Sequence, residues 1–454
     1  MSLRKYFDVT EDNHLTLHEV DLIDLCVKYG TPLFVFDEDS IVDNFERFRL
    51  AFESNYPKVI VCYSVKTNFS PAICKVIREK DGYAEVTSEM ELYVAEKAGF
   101  SSDHIIFDGP YKPNDILQKA LKKEVLLINV ESFDEMERLN RIAGKMGVKQ
   151  AIGLRVNTSK VHSFSAIFNP RNILSAIKCH PEYRFGFSSD DAYSAFKKAT
   201  KMNNLSVEGI MTHPYHRSVK TLSPIIHEIY QKLGVEMRYL NVGGGFEMET
   251  TRHVRYMDLV QDLIKTKLGL RSALDEKAKS SLSIELIAKT ITDSVKENLG
   301  DLPEPTIVTE PGSIIVGPSG IILLRVDHAK RVDGLNWVIV DDGTNLIPSI
   351  NEYSRHDILV ANRATDPPEE ISSVAGPLCY TDDYLAVKTY LPQIHADDIL
   401  SILDCGAYSL SSSNQFLYPR PTVLLLNSRK EVKVIREKET FEDVFRKDRL
   451  PRSE

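Results

Sequence analysis

Residues Val59 to Asn68 read VIVCYSVKTN, an apolar, β-branched run that ends in Lys66, Thr67 and Asn68. A strand covered on both faces has this texture. A lysine at its C-terminal end stands where core gives way to loops, and in α/β folds ligands sit there. Such a lysine can also simply snorkel to solvent along its own methylenes. The neighbouring strands decide between the two.

Working outward, apolar strand candidates recur at Val59–Val65, Tyr83–Val86, Ile105–Phe107, Val125–Val130, Ala151–Val156, Val207–Met211, Arg238–Val242 and Pro305–Thr309. Helical stretches lie between them, at Pro71–Lys80, Glu89–Ala98, Pro113–Lys122, Phe133–Met146 and Asp190–Lys201. Eight strand–helix units over about 250 residues predict an α/β fold with a (β/α)8 TIM-like barrel, with a doubly wound open sheet as the competing fold. Thr158–Tyr183 is long for a connection and reads as a functional loop or excursion. Met257–Leu299 reads as a helical insertion before the eighth strand. Upstream, Leu15–Tyr29 has helical spacing, stopped by Gly30, Thr31 and Pro32, and Leu33–Phe36 is a short strand.

From Gly312 the texture changes to strands with short turns: Ile314–Val326, Trp337–Asp341, Ile371–Ala375, Asp398–Leu403, Thr422–Asn427 and Val432–Glu437. The predicted organisation is an N-terminal segment, 1–35, packing with a C-terminal β-rich (β-sandwich or barrel-like) domain, 311–454, and a barrel over 36–310. With 454 residues, one core is not expected to suffice.

A net charge of −9 argues against nucleic acid or an anionic membrane as partner. No apolar run is long enough to span a bilayer, and MSLRKYFDVTEDN lacks the apolar core of a signal peptide. Six cysteines without a CxxC pair suggest free thiols in a reducing, cytoplasmic setting and no metal site.

Several chemistry-bearing residues fall at the ends of the barrel strands. Lys66 closes the first and Glu85 the second. Arg155 is near the end of the fifth, and His213, Tyr215 and Ser218 follow the sixth in THPYHRS. Gly243, Gly244 and Gly245 follow the seventh, and Glu310, Gly312 and Ser313 the eighth. Singly, each has an ordinary explanation: a tight turn, a surface acid, a structural histidine. Jointly they match pyridoxal 5'-phosphate chemistry. The aldehyde needs a lysine, the pyridine nitrogen an acid, the phosphate backbone amides and hydroxyls, and the ring face a flat side chain.

The chain also resembles the fold-type III pyridoxal phosphate decarboxylases, the group containing diaminopimelate, ornithine and arginine decarboxylases. Six motifs carry the resemblance: YSVKTN at Tyr63–Asn68, EVTSEME at Glu85–Glu91, GGGF at Gly243–Phe246, EPG at Glu310–Gly312, GPLC at Gly376–Cys379 and GAY at Gly406–Tyr408. The resemblance implies that Lys66 is the Schiff-base lysine, that Glu310 bonds the pyridinium nitrogen, and that Arg155 and Glu85 lie around the ring. It places the glycine triplet, Ser218, Gly312–Ser313 and Tyr408 at the phosphate, and Tyr215, in the HPYHRS segment that begins at His213, on the ring. It makes Cys379 the acid that protonates the α-carbon, and puts Tyr380, Asp382, Asp383 and Tyr408 near the substrate. It further implies a homodimer whose sites are shared between two chains.

Departures from the family pattern concern the substrate. Ser313 stands where an arginine is usual, Asn345–Ile350 (NLIPSI) lacks another arginine, Arg217 replaces a glycine, and Tyr380 replaces the glutamate that holds a distal amine. Serine does not replace a bidentate arginine grip on a carboxylate. The pattern is more similar to a specialised branch, such as the butirosin-pathway enzyme that decarboxylates glutamate tethered to a carrier protein. The expected substrate is therefore a specialised amino acid, conjugated or carrier-protein-linked. Free diaminopimelate, a racemase activity and a non-catalytic homologue are the alternatives.

Overall fold

The computed structural model of the chain describes residues 4–158, 184–214, 219–253, 261, 279–348, 350 and 354–451. Its internal contacts divide it into two compact units. One comprises Asn44–Glu247 with Leu282–Gly312, the other Met1–Asp43, Met248–Ser281 and Ser313–Glu454.

The first unit is a closed barrel. Its strands are β1 (Val59–Ser64), β2 (Tyr83–Val86), β3 (Ile105–Phe107), β4 (Leu127–Val130), β5 (Gln150–Asn157), β6 (Leu205–Met211), β7 (Tyr239–Asn241) and β8 (Thr306–Thr309). All neighbours pair in parallel, and β8 returns to β1 with Val308 opposite Ile60. The open-sheet alternative is thereby excluded. Cys62, Ile106, Leu127, Tyr239 and Val308 pack together as one buried cluster. That cluster explains why these strands read as unbroken apolar runs. Helices Glu89–Ala98 and Phe133–Met146 begin where Ser88 and Ser132 accept from the amides of Glu91 and Glu135, and end at left-handed Gly99 and Gly147.

The second unit is β-rich. Its sheet runs Tyr384–Leu391, Glu370–Ala375, Leu335–Val340, Gly320–Val332, Leu33–Asp37, Thr422–Leu426 and Val432–Arg436 in spatial order, with Ile399–Ile402 and Ile358–Val360 alongside. Leu33–Asp37 sits centrally, antiparallel to Gly320–Val332 and parallel to Thr422–Leu426. Leu15, Leu17, Leu33, Val35, Leu323 and Leu424 meet in its core.

Three sequence expectations change. Leu15–Tyr29 is two short strands, Leu15–Leu17 and Val20–Asp21, followed by a helix only over Leu22–Tyr29. His18 and Glu19 take positive φ, which a helix does not allow, and Asp21 caps the shorter helix. Ile314–Val326 is not one strand. A helical turn, Ser313–Val316, precedes the strand Gly320–Val332, divided from it at Gly317-Pro318-Ser319. The strand Tyr384–Leu391 had no sequence counterpart, because Lys388 at φ 51° interrupts its alternation. The expected excursion lies outside the described residues beyond Thr158. Of the expected insertion, Ile284–Leu299 is a helix, and 257–260 and 262–278 lie outside them.

Candidate active site

Lys66 does not end β1. It lies in a single 3-10 turn, Val65–Thr67, just beyond it. Two contacts fix that turn: the Ser64 amide donates to the Pro311 carbonyl at 3.0 Å, and the Tyr63 hydroxyl donates to the Asn68 carbonyl at 3.0 Å. A Cβ on Gly312 would lie 2.0 Å from Thr67 Oγ1, so the glycine of EPG is required by the close approach of KTN. Lys66 Nζ is 2.5 Å from Glu85 Oε2. The Ser64 hydroxyl donates to the same oxygen at 2.7 Å. Ser64 and Glu85 are register partners across β1 and β2.

Beside Glu85 lie two further buried carboxylates, Asp108 after β3 and Glu310 after β8. Potential ligand atoms of the three lie within 4.8 Å of one another. Asn129 on β4 donates to Asp108 Oδ1. Asn241 at the end of β7 donates to Glu310 Oε1 at 2.7 Å. Burial, reinforced by the charges of Asp108 and Glu85, holds the Glu310 carboxyl well above the usual carboxylate range. Burial likewise raises Asp108, whereas a hydrogen bond from Glu310 lowers it. Of the two, Glu310 is the more readily protonated.

The glycine triplet turns under this floor. Gly243 and Gly245 have positive φ, and a Cβ on Gly244 would come 2.5 Å from the Glu310 carbonyl oxygen. The Gly243 amide donates to Asn241 Oδ1 at 2.8 Å, and the Gly244 amide to His213 Nδ1 at 3.1 Å. His213 therefore orients the turn. Arg155, on β5, pairs with buried Glu131 at 2.8 Å and lies over the Phe185 ring at 4.5 Å. Glu131 also accepts from the Gly186 amide at 3.1 Å.

The barrel thus brings Lys66, Glu85, Arg155, His213, the triplet, Glu310 and Gly312 onto its C-terminal rim. Tyr215 and Ser218 lie outside the described residues. Asp108, Asn129, Glu131 and Asn241 were missed by the sequence reading. Asp108, Glu131 and Asn241 are polar residues that end or follow an apolar strand and Asn129 interrupts one next to its end, which was the signal available.

Ser313, Cys379, Tyr380, Asp382, Asp383 and Tyr408 belong to the β-rich unit. Among the described cysteines Cys379 alone is exposed. Burial pushes the thiols of Cys26 and Cys74 up to about 12, and those of Cys62 and Cys405 well up as well, which keeps them protonated and inert. Tyr408 is partly exposed with φ 53°. Asp383 is buried and fully engaged: it accepts from the amides of Thr344 at 2.9 Å and Leu378 at 2.8 Å, and from the Thr344 hydroxyl at 3.1 Å. A Cβ on Gly343 or Gly376 would strike its carboxylate. Asp383 thereby ties GPLC to the Gly343–Thr344 turn. A cavity of about 520 Å³ opens beside it, lined by Thr344, Asn345, Pro348, Ile350, Leu378, Tyr380, Asp382, Tyr384, Asn414 and Phe416. Tyr380 and Phe416 meet edge to face at 5.9 Å, and the Tyr380 hydroxyl is hydrogen-bonded to that of Thr344.

An amine paired with one buried carboxylate, next to a second buried carboxyl held well above the usual carboxylate range, on the ligand-binding rim of a parallel barrel, fits the demands of pyridoxal phosphate. The protein is of the class of enzymes that use this cofactor. Residues 38–317 match the family described as pyridoxal-dependent decarboxylase, pyridoxal binding domain, and the chain belongs to this family. It is 31% identical over 457 residues to the diaminopimelate decarboxylase of Methanothermobacter thermautotrophicus, covering 98% of this chain and 97% of that one. It is 28% identical over 444 residues to that of Aquifex aeolicus, covering 95% and 94%. The crystal structure of diaminopimelate decarboxylase from Methanocaldococcus jannaschii matches with a TM-score of 0.83 at 26% identity, covering 98% of each chain. The protein is thus a pyridoxal phosphate-dependent amino-acid decarboxylase of the diaminopimelate-decarboxylase-like kind. Among the described residues no helix is long and apolar enough to cross a membrane.

Proposed function

We propose that the enzyme removes the α-carboxyl group of an amino acid whose side chain ends in a neutral, conjugated group, borne by a small molecule or a carrier protein. The supporting observation is the cavity beside Tyr380. Its described lining offers hydroxyls, amides and aromatic edges, with Asp382 as its one acid and no arginine or lysine. An ammonium–carboxylate head would leave its carboxylate without a partner there.

When bound, pyridoxal phosphate supplies an aldehyde for amines and a ring that accepts the electron pair released at the α-carbon. In this reading Lys66 is the amine that holds the aldehyde, and Glu85 accepts its proton. Glu310, oriented by Asn241, holds a proton at the ring nitrogen. Arg155 is held in place by Glu131. Gly245, Gly312, Ser313, Ser218 and Tyr408 hold the phosphate, with His213 orienting the glycine turn and Tyr215 against the ring. Cys379 delivers a proton to the α-carbon, a role suited to a thiol, whose ordinary pKa is not far from neutral. Tyr380 and Asp382 face the side chain of the substrate, and Asp383 holds their loop in place. The active form in this reading is a homodimer with shared sites, which sedimentation analysis tests directly.

The deciding experiment measures carbon dioxide release from free meso-diaminopimelate, ornithine, lysine and arginine, and from glutamate and diaminopimelate conjugated at the distal end, free and carrier-linked. Turnover of conjugates with little release from free diaminopimelate is expected. Ordinary turnover of free diaminopimelate, as the names of the relatives suggest, would sink the proposal and make this a lysine-forming enzyme.

A further inference from the structure

Among the three buried carboxylates at the barrel rim, only Glu85 has a cation, Lys66, within ion-pair distance among the described residues. Asp108 is the unexplained member. It is 2% exposed, yet its Oδ2 has no N–H or hydroxyl donor among the described residues. Oδ1 is taken by Asn129. Glu310 Oε1 is taken by Asn241. The remaining bond open to both carboxyls is one in which Glu310 donates its own proton to Asp108. The surroundings agree: β1 brings Cys62 and the turn beyond it Lys66, β2 Glu85, β4 Asn129, β5 Arg155 and β7 Asn241. Lys66 is engaged by Glu85, Arg155 by Glu131, and the Cys62 thiol is neutral. Two adjacent buried acids with no cation of their own cannot both ionise.

We propose that Asp108 is a positioning residue for Glu310: it keeps the Glu310 carboxyl protonated in the cofactor-free site, and that proton passes to the pyridine nitrogen when the cofactor seats. The O–H bond on Glu310 breaks and an N–H bond on the ring forms. Two carboxylates then face one pyridinium, so Asp108 also stabilises the protonated ring. A cofactor whose ring nitrogen arrives unprotonated is thus given its proton by the enzyme, and one that arrives protonated displaces the Glu310 proton to solvent. This rests on the reading that Glu310 faces the ring nitrogen.

The test is calorimetric titration of cofactor-free enzyme with pyridoxal phosphate, in buffers of different ionisation enthalpy, for the wild type, Asp108→Asn and Glu310→Gln. Proton changes at Lys66 and at the phosphate are common to all three and cancel in the difference. Asp108→Asn is expected to take up more protons than the wild type, by up to about one, because its Glu310, still buried beside Glu85 but relieved of the Asp108 charge and hydrogen bond, starts more ionised. In infrared difference spectra the wild type should lose a protonated-carboxyl band on binding, Asp108→Asn should lose less of it, and Glu310→Gln should lack that loss. Equal proton counts in wild type and Asp108→Asn, with Glu310→Gln distinct, would overturn the proposal and leave the reading of Glu310 standing. Equal counts in all three would remove both. If Asp108→Asn does not fold, the infrared spectrum of the wild type decides: no lost carboxyl band means no stored proton.

Discussion

The barrel rim and the β-domain cavity are built to different standards of commitment. At the rim, Lys66, Glu85, Glu310 and Asn241 each bond a named neighbour, and a Cβ on Gly244 or Gly312 would strike backbone or Thr67. In the cavity only the frame is so committed. Asp383 pins two backbone segments, while Tyr380 and Phe416 remain 44% and 47% exposed. Chemistry common to every substrate can be fixed in place, because its geometry does not vary. Recognition of one particular side chain rests on a few replaceable groups on a rigid frame.

The strongest challenge to this contrast is Lys66→Ala. Turnover should vanish together with the visible absorbance of the bound cofactor, and an unchanged spectrum would dissociate the rim from the cofactor altogether. Next is Cys379→Ala. Loss of a positioned proton donor should lower kcat on the order of 10²–10⁴-fold. Cofactor absorbance should persist, since the exposed thiol belongs to the unit without Lys66. Steady-state kinetics beside a spectrum of the resting enzyme would separate the two effects.

Paired glycine substitutions sharpen the comparison further. Gly244→Ala would place a Cβ 2.5 Å from the Glu310 carbonyl oxygen, and Gly376→Ala one 2.4 Å from Asp383 Oδ2. Overpacking of this kind costs about 1–3 kcal/mol in either unit, readable by urea denaturation. Cofactor affinity should fall only for Gly244→Ala. Equal loss of affinity in both would mean that the rim and the cavity frame are not separable.

Legibility in the sequence followed the same division. Strands β1 to β8 were readable because burial on both faces leaves a continuous apolar signature, and the two best-read helices carry their caps, Ser88 with Gly99 and Ser132 with Gly147, in the sequence itself. Leu15, Leu22 and Leu25 keep a helical period while Leu15 and Leu17 also alternate, so only the positive φ at His18 and Glu19 separates hairpin from helix. Lys66, Glu85 and Glu310 were legible as a set on successive strand ends. Asp108 was not, because an acid after a strand reads as a turn residue until the closed barrel sets it against Glu310. The engagement of Asp383 was not legible either, because its two amide partners belong to segments that only the tertiary fold brings together.

The frame of the cavity has a pH signature of its own. Burial, with Asp341 and Asp383 nearby, pushes Asp342 up to about 6. A carboxyl raised in the folded state binds its proton more tightly there than in the unfolded chain. Its contribution therefore favours folding below the unfolded value near 3.8, and is lost as pH rises through about 6. Two pH units of difference amount to about 3 kcal/mol at most. Asp342→Asn should flatten the stability profile between about pH 4 and pH 6 and raise stability above it. Urea midpoints across that range measure the effect, and an unchanged slope would mean that Asp342 is not the titrating group.

The smallest effect belongs to Tyr380→Phe. The change removes one hydroxyl from the Thr344 contact, but Thr344 keeps its own bond to Asp383 at 3.1 Å, so the frame stays satisfied. Stability should move by less than about 1 kcal/mol. The aromatic edge against Phe416 is retained, and so is the shape of the cavity. What is lost is one directional polar group on a wall with no arginine or lysine among its described residues. KM for a conjugated substrate should therefore rise a few-fold, about 1 kcal/mol, while kcat holds, because the interaction is the same in the bound ground state and in the transition state. A fall in kcat instead would place Tyr380 among the groups that act on the reacting atoms, and the cavity would then belong to the committed chemistry of the site.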